Sequence, residues 1–155
     1  MSNIVYIQAN IFPIAALLVV MNNLKRDMSF SWRRRCLETI MKLTVCIMIF
    51  NVVCWCLNGQ EGSLAKGILW VGNTAYYVFM LYMAFLWFLY VYDKVTNGNG
   101  QMGISMFVKA VPLVVSLVIL AAGVVRPLIF YIDDENLYQR GPLHIISTVV
   151  AAGYI

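Results

Sequence analysis

The stretch 69-LWVGNTAYYVFMLYMAFLWFLYVY-92 runs for 24 residues without a formal charge. As a helix rising 1.5 Å per residue it is about 36 Å long, enough to cross the roughly 30 Å hydrocarbon layer of a bilayer. The rest of the chain agrees. Of its 155 residues, 62% are hydrophobic and 12% charged, with a mean hydropathy of +0.79. Soluble domains are about 45–50% apolar and about a quarter charged. A soluble fold of this size has too little interior to hide so much apolar surface, so lipid is the predicted solvent for most of it.

Further apolar runs cover Ile4 to Met21, about Leu37 to Leu57, and about Ile104 to Val125. With the opening stretch they make four segments of spanning length. A fifth, Leu143 to Ile155, has 13 residues, too few to span. It predicts a half-helix or, as the preferred reading, a chain that is a fragment of a longer protein. The predicted fold is an all-α membrane protein, an up-and-down transmembrane bundle of four full helices plus a truncated fifth. The first run has no basic residue before it and no A-x-A-like site after it, so it reads as a retained helix bearing Pro13 rather than a cleaved signal peptide.

Charge sets the orientation. Five of eleven basic residues (Lys25, Arg26, Arg33, Arg34 and Arg35) fall in one polar loop between the first two runs. Adding Lys42, Lys94 and Lys109 gives eight for the first and third loops, against Lys66, Arg126 and Arg140 for the second and fourth. The positive-inside rule then places the N-terminus outside. The net charge of +4 is a topology signal; nucleic acid is excluded as a partner, since no interleaved aromatic and polar readers accompany it. The four cysteines, Cys36, Cys46, Cys54 and Cys56, have no C-x-x-C spacing and read as small packing residues.

One outward tract is chemically rich, 130-FYIDDENLYQRGPLH-144. It reads as a short extracellular β-hairpin, with a four-residue loop Asp133–Asn136 between Phe130–Ile132 and Leu137–Gln139. That register sets Tyr131 opposite Tyr138 and Ile132 opposite Leu137, with Asn136 in the left-handed position that closes the turn. Gly141-Pro142 ends the ribbon and lets the fifth helix start. A calcium loop starting at Asp133 requires Gly at its sixth place and Glu at its twelfth, but Tyr138 and His144 stand there. The acids read as a solvated turn, with no metal site, and His144 as an interfacial residue.

Within the apolar runs, Asn51 and Trp55 lie one helical turn apart. Ten aromatic residues fall between Trp70 and Tyr92, and Asn73, Tyr76, Tyr77 and Met80 share one side at helical spacing. Such amides and tyrosines commonly glue membrane helices together. The functional reading is an outward-facing pocket of aromatics and two amides beneath the hairpin. No catalytic signature is present: no G-x-S-x-G, P-loop, H-E-x-x-H or intramembrane carboxylate pair, and a single histidine. No catalytic residue or cofactor is predicted.

The hairpin tract resembles a pattern, I-D-x-x-N-x-Y-x-R-G-P, of the N-terminal multi-helix membrane region of Firmicutes GGDEF-type diguanylate cyclases. It is matched at Ile132, Asp133, Asn136, Tyr138, Arg140, Gly141 and Pro142. The turn "WCLNGQEG" is similar to that group's Trp-x-x-Asp-Gly-x-x-Gly at Trp55, Gly59 and Gly62, with Asn58 in place of the acid. "NTAYY" and "LWFLYVYD" are similar to its third helix at Asn73, Tyr76, Tyr77, Trp87 and Tyr90. Asn51, where the second helix often has an acid, and Arg126 depart from the pattern.

The resemblance implies a sensor module in a bacterial plasma membrane. Its cytoplasmic partner domain, outside these residues, condenses two GTP into cyclic di-GMP. The bilayer, a small extracellular or membrane-borne ligand, and a second copy in a homodimer of the full-length protein are the partners implied. The residues expected to bind ligand are Asn51, Trp55, Asn73, Tyr76, Tyr77, Asp133, Asn136, Tyr138 and Arg140. Many of them also serve to hold the hairpin on the helix ends, with Arg140 paired to one of the acids. The alternative is a transport or assembly protein without signalling output, for which Pro13 and Pro112 mark the places where broken helices are expected.

Overall fold

The computed structural model describes residues 3–27, 32–96, 104–123, 126 and 128–155, and of 3–6, 24–27 and 104–106 the backbone alone. It is mostly helical. The helices are α1 (Asn3–Asp27), α2 (Trp32–Leu57), α3 (Ser63–Val95), α4 (Ile104–Ala122) and α5 (His144–Gly153). Strands β1 (Phe130–Ile132) and β2 (Tyr138–Arg140) form a two-stranded sheet between α4 and α5.

Apolar runs and helices coincide in number and order, but the helices extend into polar sequence. The α2 helix starts at Trp32, so Arg33, Arg34 and Arg35 occupy its first turn instead of a loop. Backbone hydrogen bonding does not stop where apolar sequence stops, and arginine is a good helix former. The α1 helix likewise continues through Lys25 and Arg26, whose side chains lie outside the described residues. The α4 helix ends at Ala122; Val125, the expected end of the fourth run, lies outside the described residues. Two helices are long and apolar enough to cross a membrane, α2 with mean hydropathy 2.2 and α3 with 1.6. The apolar parts of α1 (Ile7–Asn23) and α4 (Phe107–Ala122) are shorter among the described residues.

Antiparallel α2 and α3 form the central pair. At one end Arg33 Nε donates to Asp93 Oδ2 at 2.6 Å. At the other, residues 58–62 turn the chain, with Gly59 at φ 79° and Gly62 at φ 120°, conformations that glycine adopts without a Cβ penalty. Between these ends Gly72 lets Cys54 approach closely: a Cβ on Gly72 would lie 2.5 Å from Cys54 Sγ.

The other face of α3 packs on α4 and α5. Leu81 and Ala84 meet Leu113 of α4, Ala151 of α5 and Tyr154 just after it. Pro112 lies inside α4, where its ring disfavours the regular ladder. Beside it, the Tyr154 hydroxyl donates to Lys109 O at 2.6 Å and accepts from Leu113 N–H at 3.1 Å. Those two groups are the ends of one i to i−4 rung. The tyrosine thus satisfies both beside Pro112.

The hairpin forms where expected but in a different register. Phe130 faces Arg140, Tyr131 faces Gln139, and Ile132 faces Tyr138. The loop is one residue shorter, Asp134–Asn136. Asp133 N–H donates to Leu137 O (3.1 Å), and Asn136 N–H donates to Asp133 O (3.2 Å). Asn136 takes the expected left-handed conformation at φ 57°. This is a type I turn followed by a left-handed residue. The Asp133 carboxylate selects it, because Oδ1 accepts from Glu135 N–H (3.0 Å) and Leu137 N–H (2.8 Å). A shift of one residue on the second strand exchanges faces. Tyr131 therefore lies on the exposed side with Gln139, while buried Phe130 turns inward with Ile132 and Tyr138.

Candidate functional site

Beneath the hairpin lies a cavity of about 770 Å³ walled by α2, α3, β2 and α5. On α2 the spacing Phe50, Asn51, Cys54 and Trp55 gives one helical face, and Asn58 of the following turn adjoins it. On α3 the lining runs from Leu69 through Asn73, Tyr76 and Tyr77 to Met80, eleven residues or about 16 Å along the axis. Tyr138 and Arg140 come from β2, and His144, Ile145 and Thr148 from α5. Seven of the nine residues singled out in the sequence thus surround one space. Asp133 and Asn136 do not line it; they build the turn above.

The hairpin is bolted over this space by Asn136. Its Nδ2 donates to Gln60 O (2.7 Å) and Gly62 O (3.2 Å), and its carbonyl accepts from Gly59 N–H (2.9 Å). Asn58 Oδ1 accepts from Tyr138 N–H at 2.8 Å. A carboxylate at position 58 would make the same acceptor, so asparagine keeps this junction without adding a charge. Below, the hydroxyls of Tyr77 and Tyr138 lie 2.7 Å apart. The Phe130 ring stacks on both, with centroids 5.7 Å from Tyr77 and 5.9 Å from Tyr138.

Arg140 does not pair with the acids. Among the described residues no carboxylate lies within ion-pairing distance of it, and Asp134 instead meets Lys66 at 3.4 Å. The one-residue register change accounts for this, since Arg140 now shares the face of Phe130, Ile132 and Tyr138 rather than that of Tyr131 and Asp133. Asp133 spends its oxygens on the turn. Hydrogen bonds from the Leu137 amide and the Gln139 side chain, then the Glu135 amide and the positive charge of Lys66, hold its carboxyl below the usual range.

Several polar groups on the cavity wall lack protein partners. Among the described residues the side chains of Asn51, Tyr76, Arg140 and His144 make no hydrogen bond or ion pair to protein. Asn73 donates to Leu69 O at 2.7 Å, which leaves its amide oxygen available. The wall carries one arginine and no carboxylate. Asn58, His144, Ile145 and Thr148 were missed as site residues. The turn motif contained Asn58, but nothing local in the sequence reveals that α5 folds back against α3 and α4.

No family model matches this chain, and neither a curated protein nor a solved structure matches it.

Proposed function

We propose that this chain is the multi-pass membrane input module of a bacterial signalling protein, binding a small ligand beneath its extracellular hairpin. The observation that carries the proposal is the cavity itself, with aromatic walls and polar groups that the protein leaves unpartnered. These groups are not buried, so water or a ligand in the cavity can meet them. A membrane setting is supported by the outward apolar surface, where Phe12, Ile49, Val53, Phe107, Val111 and Val118 are exposed. Arg33, Arg34, Arg35 and Lys94 gather at the end of the α2–α3 pair opposite the hairpin, which favours an outside hairpin.

The hairpin touches both the α2–α3 turn and, through Tyr77, the middle of α3. A ligand filling the cavity changes how these parts pack, and α5, which supplies part of the wall, transmits the change toward the cytoplasm. The output proposed from the motif resemblance is a diguanylate cyclase domain in the same protein. The transport reading draws less support. Both α1 and α4 continue through their prolines, and Tyr154 closes the rung beside Pro112.

The test uses the full-length gene product in membranes. Cyclic di-GMP formation is compared between wild type and an Asn73→Ala variant, while an Asp134→Cys variant reports sidedness to an impermeant thiol reagent. External labelling and altered output in the variant are expected. Internal labelling, or output that is indifferent to the cavity, removes the proposal.

A further inference from the structure

The unpartnered groups of the cavity are not arranged at random, and their order specifies a class of ligand. Arg140, on β2, is at the hairpin end, next to Tyr138 and beside the start of α5 at His144. Asn58, just after α2, marks the same level through its bond to Tyr138 N–H. Eight residues before it, about 12 Å down, stands Phe50 on α2, and the α3 lining ends at Met80. The waist is aromatic, formed by Trp55, Tyr76 and Tyr77. On the same wall the Asn51 amide has no protein hydrogen bond.

We infer that the cavity takes an amphipathic monoanion, a carboxylate on an apolar or aromatic body, with the carboxylate on Arg140 and the body between the aromatic walls. This rests on the cavity being a ligand site, as proposed above. Three features select the class. The wall has a guanidinium and no carboxylate, so at the hairpin end an anion gains an ion pair while a cation is repelled. The guanidinium is a planar fork that matches a carboxylate edge, and no protein acid occupies it. Below it the walls offer rings and aliphatic side chains, which a strongly hydrated ligand such as a sugar or an inorganic ion would not fill. The same chemistry could arrive dissolved, as an aryl carboxylate, or through the lipid, as a medium-chain fatty acid.

The experiment compares matched probes on the full chain in nanodiscs by thermal unfolding and by tryptophan fluorescence. The soluble set is indole-3-acetate, its neutral amide and tryptamine; the lipid-borne set is decanoate and decanol. Stabilisation by a carboxylate, with its neutral or cationic partner weaker by about tenfold or more, is expected. Arg140→Gln should remove that preference. The Arg140→Lys variant, which keeps charge but not the fork, should recover it only in part. Response to indole-3-acetate alone assigns the aqueous source, and response to decanoate alone the lipid source. Equal binding of the neutral or cationic probes overturns the anion assignment while leaving the cavity a ligand site. Anion binding unchanged in Arg140→Gln, or no response to any probe, also overturns it. Loss of signalling output with anion binding intact would instead count against the proposed function.

Discussion

The hydroxyls of Tyr77 and Tyr138 lie 2.7 Å apart and join the middle of α3 to the second strand of the hairpin. The two residues are 61 positions apart in the chain, so this one bond ties the outer ribbon to the helical pair. Each hydroxyl is partly buried, and removing one strands the other. Tyr138→Phe should cost about 0.5–1.5 kcal/mol, the usual net value of such a bond, with Phe130 still stacked on the ring. Replacing both tyrosines with phenylalanine should cost less than the sum of the single changes. Equilibrium unfolding of the four variants in a double-mutant cycle checks this, and additive costs would refute the bond.

At Asn136 the conformation and the side chain can be separated. The left-handed backbone at φ 57° disfavours most side chains by about 1–2 kcal/mol, while Nδ2 bonds two carbonyls of the α2–α3 turn. Asn136→Gly keeps the backbone and loses the bonds; Asn136→Ala loses both. Stability is expected in the order Asn, Gly, Ala. The Gly59 amide, which donates to Asn136 O, should exchange faster in the same order. Equal exchange in both variants would mean that the side-chain bonds alone hold the turn.

The helices were legible in the sequence because hydrophobic length is a property of contiguous residues. So was the left-handed Asn136, since few other residues tolerate that geometry. Register was less so. Four-residue and three-residue loops both fit 133-DDEN-136, and the choice falls to the Asp133 carboxylate, which captures the Glu135 and Leu137 amides. The cavity was half visible. Asn51 and Trp55 on α2, and Asn73, Tyr76 and Tyr77 on α3, follow from helical spacing. His144 and Thr148 depend on how α5 docks, a tertiary outcome that no local pattern encodes.

That same carboxylate gives the hairpin a pH dependence whose sign is fixed. Asp133 titrates lower in the folded turn than in the unfolded chain, where the ordinary value is about 3.9. The folded turn therefore binds fewer protons than the unfolded chain. Its contribution to stability is complete above about pH 4 and is lost as pH falls through the lower folded value. Amide exchange at Leu137, the first of its donors, should accelerate below pH 4 beyond the intrinsic trend. In Asp133→Asn, which keeps an acceptor but cannot titrate, the extra acceleration should vanish. Its persistence there would move the origin to Asp134 or Glu135.

The contact between Cys54 and Gly72 makes a prediction that changes sign with background. A methyl group on Gly72 would lie 2.5 Å from Cys54 Sγ, inside any normal van der Waals distance. Overpacking of this kind costs about 1–3 kcal/mol. In isolation a glycine inside a helix is worse than alanine by about 1 kcal/mol, so the substitution has a latent gain. In the wild-type background the clash outweighs that gain, and Gly72→Ala should destabilise. With Cys54→Ala the sulfur is gone, the space is free, and Gly72→Ala should become neutral or stabilising. Thermal unfolding of the four combinations in the same lipid measures both signs. Destabilisation of equal size in the two backgrounds would show that Gly72 is needed for a neighbour other than Cys54, for which Phe50 Cδ1, at 3.9 Å from the added carbon, is the next nearest.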